Sequence, residues 1–126
     1  MMVGEGPGDP GGATEPRFAE LERLAPDWDG YGAQAIDAPA LRAARAVLGQ
    51  PAFRDLPTPE LFPLPSGGVQ LEWTAGPLEL ELEIGPGGAT AVFVCDEEGT
   101  HYRFDGMLPG DEQRLQLALA RLAAHR

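Results

Sequence analysis

Between residues 61 and 104, apolar side chains recur at every second position, and Gly or Pro breaks the pattern at short intervals. A period of two buries one face of an extended strand and no face of a helix, so this stretch can fold only as a sheet with one greasy side. The alternation predicts strands over residues 61–64, 69–74, 78–84, 89–95 and 100–104. The sequence Gly67-Gly68-Val69-Gln70-Leu71-Glu72-Trp73 anchors the set. Each connecting segment reads as a four-residue reversal, a common hairpin length. The prediction is an antiparallel five-stranded meander.

Equal reversals fix a register, because residues directly opposite in an antiparallel pair share a side of the sheet. Leu64 then faces Val69, Phe62 faces Leu71, Trp73 faces Leu78, and Leu80 faces Phe93. Leu82 faces Ala91, Phe93 faces Tyr102, and Ala91 faces Phe104. Pro63 and Pro65 suit only an edge strand, since neither donates to a ladder.

Helical spacing brackets the strands. Thr14 is placed to cap a helix from Glu15 to about Ala25, with Phe18, Leu21 and Leu24 or Ala25 on one side. Asp37 is placed to cap a second helix over residues 38–48, which buries Leu41, Ala44, Val47 and Leu48 while Arg42 and Arg45 point to water. A third helix, residues 111–125, carries Leu115, Ala118, Leu119 and Leu122 on one stripe. The expected fold class is α+β, in the order α-α-β-β-β-β-β-α, with the three helices on the apolar sheet face. Residues 1–13, rich in Gly and Pro, are expected to form a disordered tail, and residues 14–126 a single domain.

Charge narrows the partners. The 126-residue chain carries a formal charge of −11, and its nine basic residues are all Arg and scattered. Nucleic-acid binding by counterion release needs clustered cations, so none is expected. No apolar run approaches a membrane span, and a single cysteine, Cys95, fits a reducing compartment; the expectation is a cytoplasmic protein without a membrane partner.

No pattern of catalytic, metal-ligating or cofactor-binding residues stands out. Gly6-Pro7-Gly8-Asp9-Pro10-Gly11 matches a dinucleotide loop only in letters, because no strand precedes it. Asp27-x-Asp29-Gly30 begins like a calcium loop but lacks its closing Glu. Cys95 is expected to point inward beside Leu78, inert. What remains is surface. The same register puts Glu72, Glu79, Val94 and His101 in one outward row, and Gln70, Glu81, Val92 and Arg103 in the next. Such a face is either a solvated one or an acidic recognition surface, with Val92 and Val94 as apolar spots among the carboxylates. The loop Trp28-Asp29-Gly30-Tyr31-Gly32-Ala33 is a further candidate. Trp28 and Tyr31 either plug a gap beside the sheet or meet a partner, with Asp29 forming an Asx turn.

This loop, with Pro63-x-Pro65 and the Gly67-Gly68-Val69-Gln70-Leu71-Glu72-Trp73 strand, resembles a group of small bacterial proteins of uncharacterised activity. The resemblance spans about residues 21–84 and implies a bacterial cytosolic origin. The expected function is that of a non-enzymatic acidic module binding a more basic protein, in the manner of an antitoxin, immunity protein or defence accessory. Two alternatives stay open: a homodimer paired through an edge strand, and a small-molecule sensor or enzyme with a pocket beside Trp28 and Tyr31.

Overall fold

The computed structural model describes residues 10–54, 56–95, 103–108 and 110–124. Helices α1 (Pro10–Glu22) and α2 (Ala38–Leu48) come first, followed by a short 3-10 helix at Pro51–Phe53. Strands β1 (Glu60–Pro63), β2 (Val69–Ala75), β3 (Leu78–Ile84), β4 (Thr90–Cys95) and β5 (Arg103–Leu108) then form one antiparallel sheet in sequential order. Helix α3 (Glu112–Ala124) closes the chain.

The strict alternation of β2 and β3 decides the layering. Val69, Leu71, Trp73 and Ala75 on β2, with Leu78, Leu80, Leu82 and Ile84 on β3, are all buried. They share one core with Phe18 and Leu21 of α1, with Ala40, Leu41, Ala44, Val47 and Leu48 of α2, and with Leu115, Ala118, Leu119 and Leu122 of α3. Trp73 and Leu80 lie directly opposite each other on that side. Phe53, in the segment between α2 and β1, is 1% exposed and packs against Trp73 with ring centroids 5.3 Å apart and the planes tilted by 40°.

The turns differ from the uniform four-residue expectation. In the first hairpin the Leu64 N–H donates to the Gly68 carbonyl at 2.9 Å and the Gly67 N–H to the Leu64 carbonyl at 2.9 Å. This leaves a three-residue loop, Pro65-Ser66-Gly67. The third hairpin repeats it: Gly85 donates to Ala89 at 2.8 Å and Gly88 to Gly85 at 2.9 Å, around Pro86-Gly87-Gly88. In each case Pro opens the loop and a glycine with φ near +98° or +97° closes it, as in a type I turn followed by a left-handed residue. The second hairpin is tighter, with Ala75 opposite Leu78 and Gly76 at φ +59°.

An odd loop reverses which alternate residues face the core, whereas shortening from four to two does not. The pairing is therefore Leu61 with Leu71 and Phe62 with Gln70 on the first hairpin. On the third it is Leu80 with Val94, Glu81 with Phe93 and Leu82 with Val92. Leu61, Val92 and Val94 are buried, while Phe62 and Phe93 turn outward at 38% and 39% exposed. The expected inward positions of Phe62, Ala91, Phe93 and Cys95 are thus corrected, and so are the outward positions of Val92 and Val94. Phe104 pairs with Val94 rather than with Ala91. Tyr102 and His101 lie outside the described residues.

Two further details depart from expectation. Helix α1 starts at Pro10, so Thr14 sits within it, buried, and is not its cap. Arg45 does not simply point to water. It packs over the Phe18 ring at 4.5 Å and pairs with Glu15 at 3.1 Å and Glu22 at 3.0 Å, tying α2 to α1. The bonded guanidinium holds Glu15 below the ordinary carboxylate range.

Two substitutions test this architecture. Trp73→Ala should cost ~3–5 kcal/mol in denaturant unfolding, as large core truncations do; a near-neutral effect would place the indole outside the core. A Cβ on Gly68 would stand 2.2 Å from the Ile84 carbonyl oxygen, whereas one on Gly87 meets nothing within 4 Å. Gly68→Ala should therefore lose at least ~1–3 kcal/mol, and Gly87→Ala should stay neutral or gain up to ~1 kcal/mol. Equal effects of the two would mean the β2–β3 backbones do not approach as described.

Candidate functional site

Among the described residues, the sheet face opposite the core brings several carboxylates together. On β3 the outward residues are Glu79, Glu81 and Glu83, because each alternates with a buried leucine. On β2 they are Gln70, Glu72 and Thr74. The register sets Glu72 directly across from Glu81, Gln70 from Glu83, and Thr74 from Glu79. The expected opposition of Glu72 and Glu79 is corrected to Glu72 and Glu81, since the β2–β3 turn is two residues shorter. Glu60 of β1 pairs with Glu72, which extends the same row. On its other side the row continues through Phe93 to the backbone position of Asp105.

Glu81 sits at the centre of this cross, with Glu72 opposite and Glu79 and Glu83 two residues away along the strand. Partial burial, reinforced by Glu72, Glu83 and Glu79 in that order, pushes its carboxyl above the ordinary range. Glu72 is relieved on one side, because the Gln70 side-chain amide donates to its Oε2. Among these carboxylates stand Phe62, Phe93 and, on β5, Met107 at 50% exposed. Cys95 belongs to this face too, across from Glu79 and half-buried. The apolar spots of the acidic surface are therefore Phe62, Phe93 and Met107, in place of Val92 and Val94.

Both edges of the sheet carry partners. Arg17 of α1 donates through Nε to the Leu61 carbonyl at 3.0 Å, beside the donor-less Pro63. On β5 the Met107 N–H donates to Asp111 Oδ2 at 2.8 Å, and its carbonyl accepts from the Asp111 N–H at 3.1 Å.

The loop after α1 is built from its own acids. Asp29 Oδ1 accepts from the Tyr31 N–H at 2.8 Å and from the Ala33 N–H at 3.1 Å, an Asx turn. Asp27 Oδ1 accepts from Gly32 at 2.7 Å, with Asp27 itself at φ +67°. The Trp28 indole N–H donates to the Gln34 carbonyl at 2.7 Å and its ring is half-buried, whereas Tyr31 is 93% exposed. Just beyond the loop, Gln34 donates to Pro65 and Asp37 to Gly67, both at 2.8 Å. The two motifs that carry the sequence resemblance therefore touch: the segment after the Trp28 loop is stitched onto the Pro65–Gly67 turn.

An open groove of about 320 Å³ lies between α1 and β1, lined by Thr14, Arg17, Glu60, Leu61 and Phe62 among others. It involves neither Trp28 nor Tyr31. Among the described residues, no group of three or more His, Cys, Asp or Glu is arranged to hold a metal ion. Likewise, no helix there is long and apolar enough to cross a membrane. Comparison with protein-family models, with curated proteins and with solved structures gives no match to this chain.

The raised Glu81 carboxyl gives a signed prediction. A carboxyl raised in the folded state destabilises increasingly as pH climbs from its unfolded value through its folded one. Glu81→Gln should therefore be more stable than the parent at pH 7, by ~0.2–1 kcal/mol on the scale of cross-strand charge pairs. The gap should close below about pH 4, where carboxyls are protonated in both states. Thermal unfolding at the two pH values measures it; a gap that widened on acidification would contradict the crowding of Glu81.

Proposed function

We propose that the protein is a non-enzymatic binding module that engages a more basic protein through the outward sheet face centred on Glu81. One observation carries this: like-charged Glu72 and Glu81 lie directly opposite each other on the sheet side that faces away from the buried core. A face evolved only for solubility gains nothing from stacking carboxylates where repulsion is greatest. A cationic partner removes that repulsion on binding and is steered by the acidic field. Phe62, Phe93 and Met107 add apolar contact area at positions where single exposed aromatics commonly act as anchors. Small acidic proteins that accompany or neutralise a basic one, such as antitoxins and immunity proteins, work by this kind of charge matching.

Self-association through a sheet edge is the weaker reading. Strand addition needs a row of open backbone groups. Here β1 is short, ends in Pro63 and has its Leu61 carbonyl bonded to Arg17, while Met107 of β5 is bonded to Asp111. Stacking two acidic faces would bring carboxylates onto carboxylates.

Affinity purification from the native host tests the proposal, using the parent chain beside Glu79→Lys and Glu81→Lys. Both variants should fold, since each side chain points away from the core. The parent should retain a basic protein whose recovery falls steeply with added salt, and both variants should lose it. The same proteins recovered with all three baits would discard the acidic face as the binding surface.

A further inference from the structure

Leu61 and Phe62 make β1 apolar at both parities, so its own side chains do not decide which of the two is buried. Pro65 first and Gly67 third favour the odd turn that puts Leu61 inside. The geometry points to a second determinant outside the hairpin: we infer that residues 27–37 form a clamp that holds the first turn at three residues, and so selects which side of β1 reaches solvent. Two backbone bonds grip that turn at its ends, from the Gln34 N–H to the Pro65 carbonyl and from the Asp37 N–H to the Gly67 carbonyl, both at 2.8 Å. A four-residue reversal would take Gly67 out of its left-handed position at φ +98° and turn both acceptors away from these donors. The fit is close as well as bonded, since a Cβ on Gly67 would stand 3.1 Å from the Ala35 carbonyl oxygen.

The clamp is itself fixed at both ends. At its start the Asp27 N–H donates to the Ala33 carbonyl at 2.7 Å, and Asp29 Oδ1 accepts from the Ala33 N–H at 3.1 Å. The Trp28 indole N–H donates to the Gln34 carbonyl at 2.7 Å, so Gln34 is bonded through its carbonyl to the loop and through its N–H to the turn. Asp27, at φ +67°, holds a conformation that a non-glycine residue keeps only where its surroundings impose it. At the other end Asp37 occupies the cap position of α2 without a side-chain cap bond, and its carbonyl accepts from the N–H of buried Leu41 at 3.1 Å. The third hairpin is an internal control. Pro86-Gly87-Gly88 has the same turn geometry, yet among the described residues no backbone bond from another segment reaches it. That turn stands on its own sequence.

Amide hydrogen exchange followed by NMR on the full chain compares the two turns directly. Trp28→Phe keeps a ring in place but removes the indole N–H, and Asp29→Ala removes the acceptor for Tyr31 and Ala33; neither side chain belongs to the core cluster. In each variant, exchange at Leu64 and Gly67, whose amides close the first turn, should rise at least about tenfold, while Gly85 and Gly88 stay within about twofold of the parent. Side-chain NOEs should show the accompanying slip: Leu71, opposite Leu61 in the parent, should lose contact with it and gain contact with Phe62. Unchanged exchange at Leu64 and Gly67 would overturn the clamp. So would an equal rise at both turns, which marks general loosening. Faster exchange at the first turn with Leu71 still against Leu61 alone would overturn the selection of register.

Discussion

Everything in this structure depends on the parity of its turns. Side chains alternate strictly along β2 and β3, so each hairpin loop decides which half of the next strand enters the core. Pro65-Ser66-Gly67 and Pro86-Gly87-Gly88 are odd loops closed by left-handed glycines. They commit Leu61 and then Val92 and Val94 to the interior. Gly68 secures the same arrangement from the strand side, because the Ile84 carbonyl fills the space where a Cβ would stand. A side chain there would prise β2 from β3 and loosen the register that both faces share.

The core and the acidic face are therefore one decision seen from two sides. Burying Leu78, Leu80, Leu82 and Ile84 obliges Glu79, Glu81 and Glu83 to share the other side of the same strand. Repulsion among them costs far less than burial of the leucines yields, at ~1.5–3 kcal/mol for each large aliphatic chain. The crowding survives as a raised Glu81 carboxyl, offset in part by the Gln70 amide at Glu72. With the helices of the core packed on the other side, this face presents its carboxylates and the exposed Phe62, Phe93 and Met107 together.

The helical layer is tied to the turns rather than merely resting on the sheet. Backbone bonds from Gln34 and Asp37 to Pro65 and Gly67 fix the start of α2 against the first hairpin. Arg45 then bridges α2 to α1 through Glu15, Glu22 and the Phe18 ring. The Asp27 and Asp29 carboxylates accept from the backbone N–H groups of Gly32, Tyr31 and Ala33, which lets so tight a loop precede this junction, and Tyr31 is left exposed on it.

The sequence by itself determined what local periodicity can determine. It specified an α+β chain, a meander, the inward residues of β2 and β3, the limits of α2 and the buried stripe of α3. It also named Glu72, Glu79 and Glu81 as outward acids, since no register can bury them while Leu80 and Leu82 are inside. It could not resolve β1 and β4 by pattern, because Leu61 and Phe62, like Val92, Phe93 and Val94, are apolar at both parities. The turn chemistry that resolves them, Pro first and Gly third, was present in the letters but is weaker than an alternation signal. Only the tertiary structure decided that Phe62, Phe93 and Met107 join the carboxylates, that Glu81 is the crowded one, and that Phe53 reaches Trp73. Those outcomes depend on loops and long-range contacts, and their energies appear only once distant strands are side by side.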